Sequence, residues 1–239
     1  EVFEEVKNPA FILHTGDVVE EGLKEEQWNL YFKALGEAGA TVPHFATGGN
    51  HDDNLATADQ NFYFGMHLNH PDNGGNAYLD PTVVSVINSL DPETAKDAKW
   101  VQLLIKYMDE TFYSYNYGDA HFVVYNSGAY SSQDELILKA QRAWLKADLE
   151  ANKDAKWTVI LAHQANYHLY GGSYSRSTLA DIIEGFDVDL VVQGHSHLVT
   201  RSYPMKDGKI VTKENPGVIT KGDGTVYMLI GATALNHDP

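Results

Sequence analysis

The chain has 239 residues, of which 43% are hydrophobic and 11% aromatic, and 33 acidic against 17 basic side chains give a formal charge of −16. That apolar content is enough for a substantial core, while the excess of carboxylates opposes nonspecific binding to nucleic acid or to an anionic membrane surface. No cysteine is present, which excludes disulfides, thiolate nucleophiles and cysteine-ligated zinc, and no apolar run reaches the length of a membrane span.

No Pro/Gly/Ser-rich linker divides the sequence, so the expectation is a single domain over residues 1–239. Glu1 is not a natural start, and the chain reads as truncated at its N-terminus. Residues 1–8 read as the tail of a helix stopped by Pro9. Ala10 to Leu13 is a short apolar strand that ends in His14-Thr15-Gly16-Asp17. A carboxylate just past a strand's C-terminal end, beside a glycine, is where open α/β sheets place their sites. Leu23 to Ala38 has helical period, with Trp28, Tyr31, Phe32 and Leu35 on one face. A second strand, Val42 to Ala46, runs into Thr47-Gly48-Gly49-Asn50-His51-Asp52-Asp53, so that a turn presents an amide, an imidazole and two carboxylates together. Strand, helix and strand make a βαβ unit, which puts Asp17 and Asn50 at the same sheet edge.

From Leu55 to Asp91 the signal is poor, and Asn69–Asn76 reads as a loop. Pro92 to Asp109 looks helical. Tyr113–Tyr117 and His121–Tyr125 flank Gly118-Asp119 as a β-hairpin. Glu135 to Asn152 is a strong helix, with Ile137, Ala140, Trp144 and Ala147 facing inward. Trp157 to Ala162 is a buried strand ending in His163. A short helix spans Ser177 to Glu184. Val188 to Gln193 is a strand ending in Gly194-His195-Ser196-His197, and Leu198 to Tyr203 continues as another. A turn-rich stretch over Gly208–Gly224 carries a hairpin, and a last strand spans Thr225 to Ile230.

Asp17, Asn50, His163, His195 and His197 each follow a strand directly. Carboxylate, amide oxygen and imidazoles without sulfur form the donor set of a hard-to-borderline metal ion. Three other groups stay open at this stage. Asp119-Ala120-His121 has metal-ligand spacing but lies in a hairpin. Tyr167 and His168 either reach a substrate or form a plain loop pair. His14 either orients a ligand or is simply packed.

Gly16-Asp17, Gly49-Asn50-His51-Asp52, His163 after its apolar strand and Gly194-His195-Ser196-His197 resemble, in order, the motifs of the calcineurin-like metallophosphoesterases. Tyr113-Ser114-Tyr115, the Gly118–Val123 segment, Gln141-Arg142-Ala143-Trp144-Leu145, Arg201 and Pro204 are similar to the purple acid phosphatase branch, its bacterial members in particular. The resemblance implies an α/β four-layer αββα sandwich, two mixed sheets flanked by helices. It also implies two divalent metal ions. Asp17 would bridge them, Asn50, His163 and His195 would complete one, and His197 would bind the other. His51, with Asn50, would contact the phosphate and protonate the leaving oxygen, and His168 is a further substrate-binding candidate. Two cations about 3.5–4 Å apart clamp phosphate oxygens and acidify a bound water, so a metal-bound hydroxide can attack phosphorus in line.

Two departures from the family pattern matter. Its first motif, an aspartate closing a first strand, has no counterpart, so the first strand is expected to be missing from this chain and the His197 metal would keep only Asp17 and His197. Glu20 stands where purple acid phosphatases carry an iron-binding tyrosine. The ferric tyrosinate is therefore not expected, and Mn, Zn or Fe in the divalent state is. Glu20 itself is either a substitute ligand or a solvated carboxylate near a helix start. The expected reaction is phosphomonoester hydrolysis on a small phosphorylated substrate. A phosphodiesterase or nucleotide hydrolase, and a noncatalytic binding domain of the same fold, are the alternatives. Secretion or the cell envelope is the expected location from the same resemblance.

Overall fold

The computed structural model describes residues 6, 8–52, 64–74, 78–91, 110–127, 135–167, 176–213 and 220–231. The expected helix over Pro92–Asp109, the candidate His168 and Asp53 lie outside the described residues.

Two sheets meet face to face. The smaller pairs β1 (Ile12–His14) in parallel with β2 (His44–Ala46), Ile12 opposite His44. Helix α1 (Glu25–Ala40) connects them as the βαβ pattern requires, with Glu25 and Glu26 in the first turn, where carboxylates favour the positive end of the helix dipole. Trp28 is wholly buried with Val19, Ala46, Phe64 and Leu68, and its indole N–H donates to the Gly22 carbonyl at 2.8 Å. That packing places α1 on the outer face of the small sheet. Phe32, expected on the same face, is instead 42% exposed; it lies one residue round the helix from Tyr31, which takes the contact with the cluster.

The larger sheet is mixed and six-stranded, in the order β3 (Tyr113–Tyr117), β4 (Ala120–Val124), β5 (Trp157–Leu161), β6 (Leu190–Gln193), β10 (Val226–Leu229), β7 (Thr200–Arg201). The β3–β4 hairpin is antiparallel, β4 to β5 to β6 to β10 run parallel, and β7 closes antiparallel. One face carries Val123, Ile160, Val191 and Tyr227. It is sealed by Ala140, Trp144, Leu145 and Leu149 of α3 (Glu135–Ala151) and by Leu179, Ile182 and Ile183 of α4 (Arg176–Gly185). Ala147 is exposed, because the buried stripe of α3 follows Gln141, Leu145 and Leu149 at four-residue steps. The other face meets the small sheet through stacked aromatics. Phe45 lies on Tyr115 at 3.8 Å between centroids, Tyr115 on Phe122 at 5.1 Å, and Phe11 edges onto Tyr117 and Phe122. The layers therefore run helix, sheet, sheet, helix, as expected.

Among the described residues nothing pairs with the second edge of β1. On the large sheet, Trp157 of β5 and Met228 of β10 are 43% and 36% exposed.

Several boundaries shift. The strand expected over Leu198–Tyr203 is confined to β7, and the late hairpin is β8 (Met205–Lys206) with β9 (Lys209–Ile210), turning on Asp207-Gly208, both at positive φ. Helix α2 (Pro81–Ser89) falls in the stretch without a clear period. Its start was written in the sequence: Asp80 accepts the Thr82 N–H at 2.8 Å and Pro81 takes the first helical position.

Candidate metal centre

All strands that end near the site run parallel toward it, so their exits gather at one rim. Asp17 follows β1, Asn50 follows β2, His163 follows β5 and His195 follows β6. Close backbone approach then does the rest. Gly16 and Gly49 are in contact; a Cβ on Gly16 would come within 2.6 Å of His163 Nδ1, and one on Gly49 would collide with Asp17. Asp17, His195 and His197 occupy the left-handed region, with φ of 53°, 68° and 47°. This conformation is unfavourable for side chains with a Cβ and tends to cluster at functional sites.

The side chains converge on one atom. His163 Nε2 lies 3.0 Å from Asn50 Oδ1, 3.2 Å from His195 Nδ1 and 3.3 Å from Asp17 Oδ2. Its other nitrogen, Nδ1, is 2.7 Å from the Thr15 carbonyl. A carbonyl only accepts, so Nδ1 carries the hydrogen and a neutral imidazole presents a bare lone pair at Nε2. Asn50 Oδ1, Asp17 Oδ2 and a ring nitrogen of His195 then face this lone pair, an arrangement that a cation between them would satisfy. Ligand atoms of Asp17, His163 and His195 all lie within 4.8 Å of one another. Donors about 2.0–2.2 Å from a divalent ion stand roughly 3–3.5 Å apart, so the donor set fits such an ion. Burial opposes charge on His163, but the hydrogen bond and charge of Asp17 outweigh it and raise its pKa. Burial likewise pushes Asp17 up, yet His163 and the His51 N–H hold it below the usual carboxylate range. Burial and then the charge of His163 lower His195.

The two loops from the small sheet are stitched by Asp52. Wholly buried, it accepts the Val18 N–H at 3.2 Å and the Gly49 N–H at 3.1 Å; burial, then the charge of Asp17, push its pKa to about 7. His51 donates its backbone N–H to Asp17 Oδ1 at 3.0 Å. Its Nδ1 meets the carbonyl of Glu20 at 3.0 Å and the Glu20 carboxylate at 3.3 Å. Glu20 thus faces His51. It is absent from the group of convergent ligand atoms. His197 also stands outside that group, exposed two residues beyond His195.

The groups left open by sequence resolve differently. His121 is buried on β4, with Nδ1 2.8 Å from Asn116 Oδ1 and Nε2 2.7 Å from Asp148, while Asp119 faces Lys156 at 3.6 Å; the pair is part of the hairpin and far from the rim. The Tyr167 hydroxyl donates to Glu184 at 2.7 Å, turned into the core. His14 is packed edge-on to Tyr31, and burial lowers its pKa to about 4. Sequence reasoning passed over His70. It is buried against Tyr113, donating from Nδ1 to the Glu110 carbonyl and accepting the Ala46 N–H at Nε2. Nothing in its surrounding loop signalled that.

Comparison with known proteins agrees with this geometry. Residues 1–199 match the calcineurin-like phosphoesterase family. An uncharacterized protein of Mycobacterium tuberculosis is 24% identical over 93% of this chain and 42% of its own length. A probable inactive purple acid phosphatase of Arabidopsis thaliana is 21% identical over 97% of this chain and 35% of its own. Among solved structures, a purple acid phosphatase from yellow lupin seeds superposes with a TM-score of 0.57 at 16% identity, covering 96% of this chain and 38% of that one. The chain spans less than half the length of these relatives.

Proposed function

The chain belongs to the calcineurin-like phosphoesterase family, and from that premise we propose that it hydrolyses phosphomonoesters with divalent metal at the rim built by Asp17, Asn50, His163 and His195. The observation that carries the reading is the meeting of three ligand atoms, Asn50 Oδ1, His195 Nδ1 and Asp17 Oδ2, at His163 Nε2, within 3.0–3.3 Å. Divalent metal bound there supplies Lewis acidity toward phosphate oxygens and lowers the pKa of water. It also answers the negative charge of the chain, since a local cation outweighs distant carboxylates for an anionic substrate.

The remaining work falls to this chain's own groups. Asp17 would hold metal through Oδ2, which faces His163 Nε2 at 3.3 Å, while its Oδ1 accepts the His51 N–H. That bond sets the imidazole beside the site. Glu20 occupies His51 Nδ1 through its carbonyl and carboxylate, so Nε2 is the ring nitrogen left to face a leaving oxygen, to which it gives a proton only from the imidazolium form. His197 is proposed as a ligand to a second ion together with Asp17. Its further partners would come from a strand laid along the second edge of β1, which is unpaired among the described residues.

The test is turnover of 4-nitrophenyl phosphate with Mn or Zn, on a chain extended to include such a strand. His51→Ala should retain metal and lose roughly 10²–10⁴-fold in rate on an alkyl phosphate, whose leaving oxygen needs a proton, the usual worth of a positioned acid. Equal turnover by the variant would remove His51 from the chemistry. Faster cleavage of bis(4-nitrophenyl) phosphate than of the monoester would make the protein a diesterase. A noncatalytic role is a second reading, supported by the relative called probable inactive; metal binding without turnover in the extended chain would favour it.

A further inference from the structure

Asn50 and His163 leave different sheets, yet their Oδ1 and Nε2 atoms stand 3.0 Å apart. Between them runs a segment that carries no candidate ligand, the exit of β4 at Tyr125, Asn126 and Ser127. The Tyr125 carbonyl accepts the Thr47 hydroxyl at 2.9 Å, and Thr47 opens the loop that ends in Asn50. The Ser127 hydroxyl oxygen accepts the backbone N–H of His163 at 3.2 Å and that of Gln164 at 2.8 Å. Asn126, between them, is clamped by α3: Gln141 accepts its N–H at 2.7 Å and donates to its carbonyl at 2.9 Å. Thr47 and Gln141 are wholly buried and Ser127 is 4% exposed, so water does not compete for these bonds.

We infer that the hydroxyls of Thr47 and Ser127 are positioning groups for the metal centre, holding the Asn50 and His163 loops in register against one rigid strand exit. The inference rests on the proposed metal reading. Metal ligands must sit within about 0.2 Å of their coordination distances, and losing a hydrogen bond that orients a ligand typically costs about 10–100-fold in affinity. The Thr47 hydroxyl fixes its loop three residues before Asn50, and the Ser127 hydroxyl holds the backbone of His163 itself and of the next residue, so removing either reaches the metal without touching it. A purely structural hydroxyl would behave otherwise: its loss would lower stability and leave the affinity of the folded chain unchanged.

The experiment is titration of the whole chain with Co²⁺, reading affinity by chelator competition and coordination by the visible absorption bands. Wild type is compared with Thr47→Val, Thr47→Ser and Ser127→Ala, each first checked for folding by circular dichroism. Thr47→Val and Ser127→Ala should weaken Co²⁺ binding by about 10-fold or more, and Thr47→Ser, which keeps the hydroxyl, should stay within about threefold of wild type. Wild-type affinity in Thr47→Val and Ser127→Ala, alongside lowered melting temperatures, would overturn the inference and leave the metal reading standing. Thr47→Ser as weak as Thr47→Val would also overturn it. A wild-type chain that binds no Co²⁺ overturns the metal reading and this inference with it. Should Thr47→Val fail to fold, Ser127→Ala decides the outcome alone.

Discussion

Gly49 bears directly on Asp17, and the consequence is specific. A Cβ at position 49 would collide with the Asp17 backbone and carboxylate, so Gly49→Ala must displace the candidate bridging ligand. We expect the variant to fold and to lose metal affinity by at least about tenfold, measured by the same Co²⁺ titration. Glu20 makes a different prediction. If its carboxylate steadies His51, Glu20→Ala should slow alkyl phosphates, whose leaving oxygen needs a proton, more than 4-nitrophenyl phosphate, by roughly tenfold. Equal slowing of both substrates would assign Glu20 elsewhere. His70 supplies a pH test away from the metal. Burial holds its pKa near 4 against 6.5 in the unfolded chain. The unfolded state therefore takes up a proton that the folded state refuses, and stability falls as pH drops from 6.5 toward 4. The loss approaches about 3 kcal/mol. Urea unfolding at pH 7 and pH 4.5 should show a shallower acid loss in His70→Gln than in wild type. These residues differ in how far sequence revealed them. Asp17, Asn50, His163 and His195 were legible because each directly follows an apolar run that had to be a strand. His70 was not, because its partners are backbone groups of Ala46 and Glu110, remote in sequence and invisible to any local pattern.

The helices and strands divide along the same line. Helix α3 was read nearly to its ends, since 17 residues of consistent period outweigh any local ambiguity. Helix α2 was missed because nine residues give little more than two turns, and only its Asp80-Pro81 start carried a signal. The inward face of α3 was misjudged at Ala147, where alanine is apolar enough to fit either side. What the period could not convey is that Gln141, a polar residue, is the most consequential on that face. Its amide satisfies both backbone groups of Asn126 in a site closed to water. Gln141→Ala removes both of these buried hydrogen bonds and should cost about 2–4 kcal/mol in urea unfolding. A change below about 0.5 kcal/mol would mean that water reaches Asn126.

For the molecule as a whole, two sheets with parallel strands aimed at one rim explain why four separate stretches of sequence meet. Among the described residues the second edge of β1 has no partner strand, and there we propose that another strand pairs. The net charge of −16 acts over the whole surface. An anionic substrate approaches against it, so kcat/KM for a phosphomonoester should rise as salt goes from about 0.01 to 0.15 M and screening sets in. A fall would place a local positive field around the site. The most direct test of the account is metal content per chain after reconstitution with Mn or Zn, with wild type beside His163→Ala. We expect at least one tightly held equivalent in wild type and its loss in His163→Ala, because Asn50, His195 and Asp17 meet at the imidazole that the variant deletes. No metal in wild type, or the same metal content in both proteins, would contradict it.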